Sequence, residues 1–234
     1  MKHQTWGSAQ AQVEVLAIAP HPDDAEIGCG GTLLKAAANG RTTGILELTR
    51  GELGTLGTPE ARDAEALDAA QMLGLTYRGN LRWADGHLRD TDEHRLELAG
   101  VLRELRPRVL LVPHELDRHP DHSGASLVAT AAVHFASLRN APLDARAHRV
   151  ERVLYYQGNA PIEANVVVDV SDVMLDWERA IMAHQSQFTG AQVSETVGPQ
   201  VLERRRSRLS YWGSFVGVRY AEGFESRLPT LWQP

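Results

Sequence analysis

An apolar run that ends in a turn of imidazoles and carboxylates, and does so twice, restricts this chain more than anything else in it. Residues 13–19, Val13-Glu14-Val15-Leu16-Ala17-Ile18-Ala19, lead straight into Pro20-His21-Pro22-Asp23-Asp24. Far along the chain, Val109-Leu110-Leu111-Val112 is followed after a short loop by His119-Pro120-Asp121-His122. Short runs rich in β-branched and aliphatic residues read as buried strands. Similar runs occupy 43–49, 76–83, 150–156 and 165–170, with helix-like segments between them. Thr58-Pro59-Glu60 opens one such helix with a cap and a proline at its first position. Residues 91–105 carry an apolar face of Leu96, Leu98, Val101, Leu102 and Leu105. Further helices are expected at 32–39, following a glycine-rich turn, and at 123–138, 171–187 and 199–211, with a short last strand at 216–220. This alternation implies an α/β fold, a Rossmann-like, mostly parallel sheet with helices on both faces. In a doubly wound sheet the strands at 13–19 and 109–112 are neighbours at the switch point, where ligands gather at the carboxyl ends. The two turns are therefore expected to meet in space.

Composition sets the outer limits. The chain has 234 residues, 43% apolar and 23% charged, enough for one substantial core rather than two. We expect a polar N-terminal tail at 1–12 and a single domain at 13–234. The formal net charge of −6 argues against a nucleic-acid footprint. Arg204-Arg205-Arg206, with Glu203 beside it, reads as a solvated helix face. The single cysteine excludes an intrachain disulfide and a thiolate-rich metal cage. Cys29, in Gly28-Cys29-Gly30-Gly31, reads as a small apolar residue at a tight turn. No stretch has the length of a membrane span, and residues 1–12 lack an apolar signal core. A cytoplasmic protein with no membrane partner is expected.

Imidazole nitrogen and carboxylate oxygen are the ligands a borderline-soft divalent ion such as zinc accepts, and a catalytic zinc needs three of them and an open position. His21 and Asp24, held apart by a stiff proline turn, aim at one point, and His122 completes a His-Asp-His set. Asp23 then lies beside the metal without being needed as a ligand, the place for a general base. His119, hydrogen-bonded by Asp121, is left to stabilise an oxyanion or protonate a leaving amine. The chemistry these residues suggest is metal-assisted hydrolysis.

The string Pro20-His21-Pro22-Asp23-Asp24-Ala25-Glu26-Ile27-Gly28-Cys29-Gly30-Gly31 resembles the first motif of the LmbE-like, PIG-L-type zinc N-deacetylases, and Arg118-His119-Pro120-Asp121-His122 resembles their second. Similarity continues in Thr49-Arg50-Gly51-Glu52-Leu53-Gly54-Thr55, Ser186-Gln187-Phe188 and Gly217-Val218-Arg219-Tyr220-Ala221-Glu222-Gly223-Phe224. The resemblance implies an LmbE-like fold, one zinc ion per subunit on His21, Asp24 and His122, Asp23 as base, and His119 oriented by Asp121. It implies that Arg50 binds the anionic aglycone or sugar of an N-acetylglucosamine conjugate, and that the protein is a homo-oligomer. The Asp-Asp-Ala-Glu spacing and the Glu-Leu-Gly-Thr loop look most like the bacillithiol-pathway enzymes that hydrolyse N-acetylglucosaminyl-malate. A chitobiose-type or other small-sugar deacetylase and a thiol S-conjugate amidase are the alternatives. A non-catalytic zinc-binding module is a different class, and it would require neither Asp23 nor His119. Ala25 separates Glu26 from Asp24, so a structural role at the turn is expected for Glu26. The role of His184, where bacillithiol-type relatives often carry lysine, stays open.

Overall fold

The computed structural model describes residues 4–7, 12–188 and 199–229, and the side chains of 12–188 and 200–229. Its strands are β1 (Gln4–Gly7), β2 (Val15–Ala19), β3 (Thr43–Glu47), β4 (Tyr77–Asn80), β5 (Val109–Pro113), β6 (Arg152–Tyr156), β7 (Val166–Asp169) and β8 (Ala221–Glu225). Its helices are α1 (Asp24–Ala38), α2 (Pro59–Met72), α3 (Asp92–Leu105), α4 (Pro120–Ser137), α5 (Met174–Met182), α6 (Gln185–Phe188) and α7 (Pro199–Val216). The strands form one 8-stranded sheet in the order β1-β4-β3-β2-β5-β6-β8-β7. Strands β4, β3, β2, β5 and β6 run parallel, while β1 and β8 are antiparallel to their neighbours.

Every residue of β2 and β3 is buried, as expected of parallel strands covered on both faces. Leu16 and Ile18 point into one layer with Leu98, Leu102, Leu110 and Val128. Val15, Ala17 and Ala19 point into the other with Leu33, Leu111 and Tyr156. Chain order reverses at β2, whose Val15, Leu16 and Ala17 pair in register with Val109, Leu110 and Leu111 of β5. The switch point expected from the sequence is therefore present, and both motif turns leave from it.

Several elements differ from the expectation. The glycines at 28–31 are not a turn; they are helical, because α1 begins at Asp24 and runs through them with a kink at Cys29 (φ −150°). The kink frees the N–H groups of Gly31 and Thr32, which the distant Glu222 carboxylate accepts at 2.8 and 2.7 Å. Glycine is needed at 28 because a Cβ there would overlap the Tyr156 ring. Helix α4 starts at Pro120 rather than at Ser123, with His119 as its N-cap, so the second motif is a helix start. The segment 171–187 divides into α5 and α6, and α7 continues to Val216, which moves the last strand to Ala221–Glu225. Within the expected tail, Gln4–Gly7 adds an edge strand; residues 1–3 and 8–11 lie outside the described residues. Among the described residues no helix is long and apolar enough to cross a membrane.

Candidate active site

The carboxyl ends of β2 and β5 bring His21, Asp24 and His122 to one point, with ligand atoms within 4.8 Å of one another. His21 Nδ1 and His122 Nε2 lie 3.0 and 3.2 Å from the same oxygen, Asp24 Oδ2. The far nitrogens are also held by carboxylates. His21 Nε2 is 3.0 Å from Asp85 Oδ1 and 3.3 Å from Asp121 Oδ2. His122 Nδ1 is 3.3 Å from Asp117 Oδ2, close enough for charge pairing without the alignment of a hydrogen bond. A carboxylate behind each histidine is how metal-binding imidazoles are oriented and made basic. The donor set thus fits a divalent cation. A second set, His21, His119 and Asp121, is equally compact, but Asp121 there already accepts from the Gly86 and Leu88 N–H groups.

Asp23 precedes α1 with φ 98°, in the left-handed region. Its buried Oδ2 has no hydrogen-bond partner among the described residues and lies 3.9 Å from Arg62 Nη2. Burial raises its pKa to about 6, although Arg62 pulls the other way. Burial also opposes charge on Asp24, but His122 and His21 outweigh it and hold that carboxyl well below the usual carboxylate range. Neighbouring aspartates are thus pushed apart, one anionic and one poised near neutrality. Burial opposes charge on His122, but Asp24 and Asp117 outweigh it and lift its pKa to about 9. His119 is lowered by burial and by its charged neighbours His21 and His122. Its Nδ1 accepts the Asp121 N–H at 3.2 Å, so the neutral ring carries its proton on Nε2.

These side chains line a cavity of about 340 Å³, together with Leu53–Leu56 of the loop after β3 and a wall from α7. Asp121 does not orient His119 through its carboxylate, as the sequence suggested. Only its backbone N–H reaches His119, because the carboxylate is spent on His21, Gly86 and Leu88. Arg50 does not line the cavity. Asp63, one turn into α2, captures its guanidinium at 2.7–3.3 Å and Glu60 adds a contact at 3.0 Å. The run at 204–206 is also not a uniform solvated face. Arg206 points outward to Glu178. Arg204, Arg205 and Arg208 share a helix face with Val201 and line the cavity with Arg118. Arg205 is buried and donates to Gln157 O; Arg208 donates to Gly158 O and Asn159 O. Glu26 and His184 are wholly buried, outside the cavity. Sequence reasoning missed Asp85 and Asp117, isolated loop carboxylates whose one signal was proximity to histidines at 87 and 119.

A family model described as PIG-L, GlcNAc-PI de-N-acetylase, matches residues 16–133. The chain is 36% identical over 227 residues to the diacetylchitobiose deacetylase of Thermococcus kodakarensis, covering 90% of this chain and 81% of that protein. The fold matches the crystal structure of the conserved protein TT1542 from Thermus thermophilus, with a TM-score of 0.89, 51% identity, and coverage of 95% and 98%. It also matches the inhibitor complex of N,N'-diacetylchitobiose deacetylase from Pyrococcus horikoshii, with a TM-score of 0.78, 28% identity, and coverage of 91% and 82%.

Proposed function

This chain belongs to the PIG-L family of de-N-acetylases, and from that premise we propose that it removes the acetyl group from an N-acetylglucosamine conjugate with zinc on His21, Asp24 and His122. The observation that carries the reading is the pairing of a convergent His-Asp-His donor set with an uncommitted, buried carboxylate, Asp23. A bound divalent cation such as zinc would acidify a water and polarise the amide carbonyl. Asp23 Oδ2, with a pKa near 6, takes the proton of the attacking water and returns it to the departing amine nitrogen. His119 donates from Nε2 to the carbonyl oxygen as that oxygen gains charge. Asp85, Asp121 and Asp117 keep the histidines aimed.

For the aglycone, the similarity to diacetylchitobiose deacetylases supports a chitobiose-type conjugate over the N-acetylglucosaminyl-malate expected from the sequence. One observation favours an acidic conjugate such as the malate: Arg118 and Arg204, exposed at the cavity mouth, have no ion-pair partner among the described residues, and Arg208 stands beside them. The test is acetate release from N,N'-diacetylchitobiose, N-acetylglucosaminyl-malate and a neutral methyl glycoside, before and after chelation. Chelator-sensitive release from any of them supports the reading; a zinc-loaded protein inactive on all three refutes it.

A further inference from the structure

Directly beneath the turn that carries Asp23 lies a network of buried charges that touches neither the cavity nor the metal-ligand set. Glu26, in the first turn of α1, has its Oε1 3.0 Å from His184 Nε2 and accepts from Arg78 Nη1 at 2.6 Å. Arg78, on β4, also donates to Glu47 of β3, at 2.9 Å from Nε and through Nη2. Trp177 of α5 donates to the Glu26 carbonyl at 2.9 Å. Glu26 and His184 are 0% exposed, Arg78 3% and Glu47 4%. Stability alone does not call for such an arrangement, since well-packed apolar side chains of similar volume often serve a buried site as well or better. This network is also imperfect: Glu26 Oε2 and His184 Nδ1 have no hydrogen-bond partner among the described residues.

What lies above it is strained. A non-glycine residue at φ 98° persists only where its surroundings over-determine it. From outside, Arg62 Nη2 holds the Pro22 carbonyl at 2.8 Å. From inside, the Asp23 carbonyl accepts the Ile27 N–H at 3.0 Å, so this inner anchor is as firm as the first turn of α1. Glu26 is the residue of that turn tied to β4 by Arg78 and to the end of α5 by His184.

We infer that Glu26, Arg78 and His184 form a positioning device that clamps the first turn of α1 to the sheet and thereby holds Asp23 in its left-handed, cavity-facing conformation. It rests on the deacetylase reading only in taking Asp23 as the base. The test uses Glu26→Gln and His184→Gln in the whole 234-residue chain. Each is expected to lower kcat at least tenfold, with KM and bound metal within twofold of the parent. The double variant should lose no more than the worse single one, because both act through one contact. Crystal structures of the variants should show Asp23 relaxed from positive φ, a readout that needs no turnover. A parent protein without acetate release would refute the deacetylase reading, while the conformation of Asp23 would still decide this one. Unchanged kcat, loss of metal together with kcat, or an unmoved Asp23 would overturn the inference. If Glu26→Gln fails to fold, His184→Gln, which keeps the Arg78 pair, carries the test.

Discussion

Replacing Asp23 by asparagine should make the protein more stable and nearly inactive. Asparagine has the same shape, tolerates the left-handed backbone better than most residues, and carries no charge. The folded state raises the Asp23 pKa from 3.8 to about 6, chiefly by burial. The charged form is therefore disfavoured in the fold. A carboxylate with a raised folded pKa subtracts nothing below its unfolded pKa, and subtracts progressively more as pH rises from there to its folded pKa. About two pKa units at 1.36 kcal/mol each make the full penalty on the order of 3 kcal/mol above pH 6. For a chain of this size that corresponds to a rise in Tm of roughly 6–12 °C in Asp23→Asn. The measurement is thermal unfolding of the chelated proteins at pH 7.5 and again near pH 4, where the difference should vanish. Turnover of the metal-loaded variant should fall by about 10²–10⁴, the usual contribution of a general base. An unchanged or lower Tm at pH 7.5, or turnover within tenfold of the parent, would refute the assignment of Asp23 as a strained, desolvated base.

Asp117→Asn should weaken metal binding about 10–100-fold without removing a ligand, measured by competition with a chelator; His122→Ala should abolish it. With its folded pKa raised to about 9, His122 stabilises the metal-free fold fully below its unfolded value of 6.5 and loses that contribution as pH rises through 9. Chelated protein should therefore lose stability between about pH 6.5 and 9, and metal uptake in that window should release protons, measurable by calorimetry in buffers of different ionisation enthalpy. Arg50→Gln should leave KM for acidic conjugates within twofold, whereas Arg204→Gln should raise it about tenfold; the reverse order in steady-state kinetics would return the anion-binding role to Arg50.

Those two arginines show where sequence reading succeeds and where it stops. The convergence of His21, Asp24 and His122 is legible because strand ends and a proline turn set their positions locally, and the switch-point rule supplies the one long-range step. Arg50 has the same local credentials, at the end of β3 beside the site. Its direction depends on Asp63, a residue of the next helix whose approach no local pattern encodes. The α7 arginines had a usable signal in the spacing of Val201, Arg204, Arg205 and Arg208, one helix face in which a charge is buried. As adjacent charges, residues 204–206 resemble a solvated run, but helix phase turns Arg206 out to Glu178 and Arg204 and Arg205 to the cavity. The kinked α1 was read as a turn because glycines normally break helices. Here they admit Tyr156 and Glu222, an advantage visible only once the packing is known.

The carboxylates around His21 suggest why the first motif needs support from so far away. Asp24 lies at one ring nitrogen, and Asp85 and Asp121 share the other. Asp85 also accepts the Leu53 N–H at 2.8 Å, so one carboxylate joins His21 to the loop at the cavity lip. Asp121 likewise ties the same imidazole to the backbone of Gly86 and Leu88. A shift of the lip is thus opposed by hydrogen bonds that end on His21, one of the proposed metal ligands. Asp85→Asn should act on both ends at once, loosening metal and raising KM together, because the amide cannot accept from His21 and Leu53 with both of its heads. Metal content and KM measured on one preparation decide this: a variant that changes one without the other would separate the lip from the metal centre and break the proposed link.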